Sequence, residues 1–350
     1  MTTTRVLVVR PDSDGDVLLA GPAVRAAAAG WPDRPTRVTL LVGPAGRQAA
    51  ELLPGVDRVI EWRCPWIDPE PPPTTREHTD WLVERVAAEH ASLALVLTSF
   101  HQSALPTALL LRRAGVPRIV AISTDYAGSL LDVRLRPGVD FDDDLPEPER
   151  ALLVAAAAGL ALPAGDDGRL AVRDVPDVRD LVGPGGHVVV HPGASVPARA
   201  WSPHRCAQLV SELARRGHRV VVTGGPAERD LTARVAGGDG IDLGGRTSFA
   251  QLAGVLATAS AVVVGNTGPA HLAAAVGTPV VSLFAPVVPA SRWAPYRVPH
   301  ELLGEQDAPC RDSRARVCPV PGHPCLDSVT ARDVVPAVER LAEVSVCASR

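Results

Sequence analysis

At 350 residues the chain exceeds one ordinary domain and suits two of roughly 150 to 180 residues, each able to bury its own core. Hydrophobic residues make up 46% and charged residues 21%, a globular balance that excludes general disorder. A formal net charge of −4 argues against nucleic acid as a partner, because such binders carry a basic surplus or a basic stripe.

The N-terminus, Met1 to Val9, runs straight into a short apolar strand, without a basic segment followed by the apolar stretch of a secretion signal. No apolar run approaches the roughly 18 residues needed to cross a bilayer. The expectation is a cytoplasmic protein with no transmembrane segment, peripheral membrane contact being left open. The six cysteines, Cys64, Cys206, Cys310, Cys318, Cys325 and Cys347, are too sparse for a disulfide scaffold and read as reduced thiols. Every basic residue is Arg and none is Lys, which with the abundant Ala, Gly and Pro reads as a high-GC coding bias.

In the first half, strands are predicted at Arg5 to Val9, Arg37 to Val42, Arg58 to Ile60, Leu93 to Thr98 and Arg118 to Ile122. Helices are predicted around Val17 to Ala29, Arg76 to His90 and Ser103 to Ala114. Such alternation is the pattern of βα units around a parallel sheet. An irregular segment follows, with the acidic run Asp140, Asp142, Asp143 and Asp144, an Ala-rich helix near Glu147 to Leu160, and a Gly/Asp/Pro-rich passage to Gly186. The pattern then restarts with strands His187 to Val190, Arg219 to Thr223, Ile241 to Leu243, Ala261 to Val264 and Pro279 to Phe284. Helices between them run Pro203 to Arg216, Pro226 to Val235, Phe249 to Ala259 and Ala270 to Val276. A last helix, Thr330 to Val344, is free to pack back across the domain boundary. The expected fold class is α/β, with an N-terminal domain over residues 1–165, a linker at 166–186 and a C-terminal domain over 187–350.

In open α/β sheets ligands bind beyond the carboxyl ends of strands, so residues directly after strands carry most weight. Arg10-Pro11-Asp12-Ser13-Asp14-Gly15-Asp16 follows the first strand. Gly15 suits a tight turn, and Arg10 with the helix start suits an anion; a capping role for Asp16 stands beside that reading. No G-x-G-x-x-G follows the strand, which weakens a dehydrogenase reading. After the first strand of the second half comes His191-Pro192-Gly193-Ala194-Ser195, with Arg199 and Trp201 beyond it. Small residues there let backbone amides approach a phosphate, and Arg199 adds charge. Thr223-Gly224-Gly225-Pro226-Ala227-Glu228 offers a carboxylate suited to a ribose diol, against the plainer reading of a first-turn Glu favoured by the helix dipole. Asn266-Thr267-Gly268-Pro269-Ala270-His271 opens a helix whose free amides and dipole suit a diphosphate. Three such loops in one domain point to a shared ligand.

Two weaker signals read structurally. The Asp142 to Asp144 run lies behind no clear strand and reads as solvated, and the spacing of Cys310, Cys318 and Cys325 with His323 lacks the paired elements of a zinc site. No metal is expected.

These segments together resemble glycosyltransferase family 9, the heptosyltransferases, nearly end to end. The resemblance implies a GT-B architecture, two doubly wound Rossmann-like domains facing across a cleft, the C-terminal one holding the donor. It implies an inverting, metal-independent transfer from a nucleoside-diphosphate sugar to an acceptor hydroxyl of a glycan, glycolipid or secondary metabolite, with no other cofactor. Asp16 falls on the family's proposed base, with Arg10 and Gly15 beside it on the acceptor side. Ser195, Arg199, Glu228, Asn266, Thr267, Gly268 and His271 fall on donor-binding positions. Arg199 stands where the family has Lys, and Asn266 where it commonly has Asp. The rival readings are a nucleotide-sugar epimerase of the same architecture and a catalytically silent nucleotide-sugar-binding protein.

Overall fold

The computed structural model describes residues 3–32, 34–99 and 101–348. The chain divides into two compact units, Met1–Arg173 and Asp174–Arg350.

The first unit is built on strands β1 (Thr4–Arg10), β2 (Thr36–Val42), β3 (Arg58–Glu61), β4 (Leu93–Val96), β5 (Ile119–Ile122) and β6 (Val133–Leu135). They form one parallel sheet in the order β3-β2-β1-β4-β5-β6. The second unit repeats the plan with β7 (His187–His191), β8 (Val220–Val222), β9 (Gly240–Asp242), β10 (Ala259–Gly265), β11 (Val280–Leu283) and β12 (His300–Leu303). Its parallel order, β12-β11-β10-β7-β8-β9, is the same doubly wound topology counted from β7. Each sheet therefore has one switch point, between β1 and β4 in the first and between β7 and β10 in the second, where open α/β sheets bind ligands.

The middles of the central strands are apolar because helices cover both faces. Val6 to Val9 of β1 and all of β7 are buried, as parallel sheets require. His187 opens β7 fully buried and donates from Nε2 to the Val255 carbonyl at 3.0 Å; burial holds its pKa below the ordinary value, so the ring is neutral.

The predicted helix Val17 to Ala29 is two helices, Asp14–Leu19 and Gly21–Ala29. Pro22, in the first turn of the second, has no N–H to continue the first one's ladder. The edge strands β6 and β12 were not expected from sequence. Val133-Arg134-Leu135 and His300-Glu301-Leu302-Leu303 are only partly buried and lack an apolar run. The last helix, Ala331–Ala348, lies against β10, β11, β12 and the helix Pro203–Arg215. Val334, Val335, Ala337, Val338 and Leu341 enter the core of the second unit. No helix among the described residues is long and apolar enough to cross a membrane.

Candidate functional site

In the first unit the switch point is occupied by a buried charge network. Arg10 ends β1 with 3% of its surface exposed. Its Nε lies 3.1 Å from Asp12 Oδ2, and Nη2 lies 2.9 Å from Asp16 Oδ1 and 3.4 Å from Glu147 Oε2. The same Nη2 donates to Ser99 Oγ, just beyond β4, at 2.9 Å. Ser13 donates to the other Asp16 oxygen at 3.1 Å. Burial opposes the charge on Arg10, but Asp12, Asp16 and Glu147 together raise its pKa, so it stays a guanidinium. Burial also pushes Asp12 up to about 6, against the lowering influence of Arg10 and the Gln102 amide.

The helix here opens at Asp14, with Ser13 as its N-cap residue, so Asp16 lies inside the first turn and does not cap it. Gly15 is buried within that turn and does not have a positive φ. The guanidinium expected to meet an anion is already engaged by three carboxylates. Sequence reasoning did not single out Ser99, Gln102, Glu147 or Arg150 as part of this network. Glu147 and Arg150 start an Ala-rich helix, and Arg150 holds Asp143 by its carbonyl and carboxylate oxygens at 3.0 and 2.9 Å. Within the acidic run Asp143 is thus an Arg partner, and Asp142 accepts from the Asp144 amide at 3.0 Å.

In the second unit, the loops after β7, β8 and β10 are brought into contact. Glu228 turns back to accept from the Gly225 amide at 2.7 Å, and a Cβ on Gly193 would overlap its carboxylate. A Cβ on Gly265 would lie 2.7 Å from the Arg199 carbonyl oxygen. Gly265 is therefore required by the close approach of backbone, while Gly193 leaves the room that the Glu228 carboxylate occupies. His191 pairs through Nδ1 with Thr223 Oγ1 at 3.0 Å across the ends of β7 and β8. Burial lowers its pKa although Glu228 acts against this, leaving the ring neutral.

Beyond β10, Asn266 is buried at 3% exposure, and neither its amide oxygen nor its nitrogen has a hydrogen-bond partner among the described residues. A buried amide left so is costly unless something else completes it. Thr267 is the N-cap residue of the helix Gly268–Ala275 and makes no side-chain cap bond, so the first-turn amides are not closed by it. His271 is buried in that first turn. Ser195 is exposed in the bend before the short turn Pro197–Arg199.

The floor of this site is fixed from the C-terminal segment. Trp201 donates to the carbonyls of Leu326 and Val329 at 3.1 and 3.3 Å, and His323 Nε2 to that of Ala198 at 3.1 Å. Cys310 and Cys325 are buried free thiols in the same core. Burial, then the nearby Cys310 and Cys318, pushes Cys325 up to about 11. The side chain of Cys347 lies outside the described residues.

Residues 84–323 match the family described as glycosyltransferase family 9 (heptosyltransferase). Lipopolysaccharide heptosyltransferase 3 of Escherichia coli is 29% identical over 163 residues, 44% of this chain and 46% of that protein; the chain there spans about half the length of its relative. Lipopolysaccharide heptosyltransferase 1 of Pseudomonas aeruginosa is 29% identical over 327 residues, covering 90% of this chain and 87% of that protein. Among solved structures, the E. coli heptosyltransferase WaaC with ADP-2-deoxy-2-fluoro heptose is similar with a TM-score of 0.70 at 22% identity, over 96% of this chain and 99% of that one. The likeness shows a common fold.

Proposed function

Because the chain belongs to glycosyltransferase family 9, we propose that it moves a sugar from a nucleoside-diphosphate donor, ADP-heptose or a related compound, to an acceptor hydroxyl with inversion at the anomeric carbon. The observation that carries this reading is the meeting of three strand-end loops at the β7/β10 switch point, Glu228 on Gly193 and Arg199 on Gly265. Relatives named as lipopolysaccharide heptosyltransferases and a neighbour solved with an ADP-sugar support the donor class.

Glu228 holds the ribose of the donor. Ser195, Arg199, His271 and the amides at Thr267 and Gly268 stabilise the departing diphosphate, because negative charge builds there in the transition state. Asn266 completes its amide on the bound donor. Asp16 takes the proton of the attacking hydroxyl, its two oxygens oriented by Arg10 and Ser13. Arg10 acts on the carboxylate and not on an incoming anion, and Gly15 lets the helix pass close to the acceptor.

A thermal-shift panel of ADP, GDP, UDP and dTDP with their sugars tests this, since a ligand of the native state raises apparent stability. ADP and ADP-sugars are expected to stabilise the chain, and sugar transfer to require an acceptor. No stabilisation by any nucleoside diphosphate, or epimerisation of the donor sugar without acceptor, overturns it.

A further inference from the structure

Of the three carboxylates around Arg10, Asp12 carries its charge on the fewest partners. Its side chain is 8% exposed, and its main chain has no room to retreat. A Cβ on Gly46, in the turn after β2, would lie 2.6 Å from the Asp12 carbonyl oxygen. The charge must be settled where the residue lies.

Arg10 Nε and Asp12 Oδ2 are 3.1 Å apart, yet both atoms are buried and neither makes a hydrogen bond among the described residues. The attraction there is Coulombic, with the N–H not aimed at the oxygen. The other oxygen, Oδ1, accepts from Gln102 Nε2 at 2.6 Å. That amide is the hydrogen bond on which the Asp12 charge rests, since a donor to a carboxylate favours its charged form while burial opposes it.

Gln102 is itself fixed. Its Oε1 accepts from the Ser99 amide at 3.0 Å, and its own amide donates to the Ser99 carbonyl at 2.9 Å. Ser99 Oγ in turn accepts from Arg10 Nη2. One turn beyond β4 therefore reaches the cluster twice, at the Asp12 carboxylate and at the guanidinium that Asp12 shares with Asp16 and Glu147. His101 lies exposed in the same turn. Cys64, beyond β3, also feels Asp12; burial, with Asp12 adding to it, pushes that thiol up to about 12, so it brings no charge.

We propose that Gln102 is a positioning residue for the proton transfer at Asp16, acting through Asp12 and Arg10. With Gln102 in place Asp12 is an anion at neutral pH, Arg10 is shared among three carboxylates, and Asp16 keeps the basicity to take the acceptor proton. Without that amide Asp12 takes up a proton on its open oxygen. Arg10 then turns more of its field on Asp16, and the base weakens. The inference rests on the glycosyltransferase reading with Asp16 as its base, and adds the residue that sets the strength of that base.

The test uses the full chain labelled with carbon-13 at the aspartate side-chain carboxyls, the Asp12 signal being the one lost in Asp12→Asn. In Gln102→Leu the pH midpoint of that signal is expected to rise from about 6 by about one pH unit. Turnover is read as ADP released from ADP-heptose with water as the attacking hydroxyl. The water oxygen bonds to the anomeric carbon, the bond from that carbon to the diphosphate breaks, and Asp16 takes the proton. Gln102→Leu is expected to lose about threefold in kcat near about pH 7 and to match the unsubstituted chain at about pH 5 and about pH 9, because only between the two midpoints does the charge on Asp12 differ. Asp12→Asn, which cannot ionise, is expected to keep its loss up to about pH 9, and adding Gln102→Leu to it to cost nothing further. Stabilisation by ADP is expected to be unchanged in all three variants, which shows that they fold. An Asp12 midpoint that does not rise, a loss of equal size at every pH, or a further loss in the double variant overturns the proposal and leaves Gln102 holding its turn alone. Absence of ADP stabilisation in the unsubstituted chain removes the transferase reading instead, and the Asp12 midpoint, read without substrate, still decides whether Gln102 holds Asp12.

Discussion

Arg10 and Asp16 meet through a single guanidinium nitrogen, Nη2, 2.9 Å from Asp16 Oδ1. That nitrogen is shared with Ser99 and Glu147, so Arg10 orients Asp16 without being its private counter-ion. A carboxylate fixed in this way in the first helical turn after a central strand is suited to a hydroxyl proton. Asp16→Asn keeps the shape and the Arg10 contact but removes the base. Turnover is expected to fall about 10²- to 10⁴-fold with ADP stabilisation intact; steady-state kinetics and thermal shift check both, and unchanged turnover removes the assignment.

Glu147 and Asp16 meet the same Arg10 guanidinium, and through it Glu147 acts on Asp16 as a positioning residue. Its Oε2 is 3.4 Å from Arg10 Nη2 and its Oε1 is 3.5 Å from Arg150 Nε. Glu147→Gln removes one of the three charges that share the guanidinium, leaving more of its field on Asp16. The base is then weaker: kcat is expected to drop several-fold and the acidic limb of the kcat/KM profile to move to lower pH, with KM for the donor unchanged. A uniform loss at every pH, with no movement of the limb, would mean that Glu147 matters for packing alone.

At the donor loops the critical contact is between Gly193 and Glu228. Gly193→Ala places a methyl where the Glu228 carboxylate lies, so that carboxylate must leave and the Gly225 amide loses its acceptor. Affinity for ADP is expected to fall tenfold or more by calorimetry. Glu228→Gln, which can still accept from Gly225, is expected to fall less. Equal affinity in Gly193→Ala and the unsubstituted chain would separate Glu228 from the nucleotide.

The strands that build the switch points were legible because parallel strands covered on both faces are short Val-rich runs, as in His187 to Val190 and Ala261 to Val264. The loops after them were legible as Gly-rich turns with a charged residue. Glu147 and Ser99 were not, because nothing local marks a residue 137 or 89 positions from Arg10 as its partner. The start of the helix at Asp14 was missed for a related reason. Asp14 accepts from the Ala49 amide at 2.9 Å, a contact made by another loop, while the sequence offered Asp16 as an equally good cap.

Asp14 also gives a pH test of stability. Burial pushes its carboxyl up to about 6 from the ordinary 3.8, against the lowering effect of the Ala49 amide. Between those values the folded chain binds a proton that the unfolded chain has lost, so this group's contribution to stability falls as pH rises through that window. It is favourable below about pH 4 and fully lost above about pH 6. Asp14→Asn keeps an oxygen for the Ala49 amide and cannot ionise. The variant is expected to be more stable than the unsubstituted chain at pH 8, by on the order of 2 kcal/mol, and to show no gain at pH 4. Denaturant titrations at the two pH values measure it, and a gain of equal size at both would trace the effect to packing, not to the buried charge.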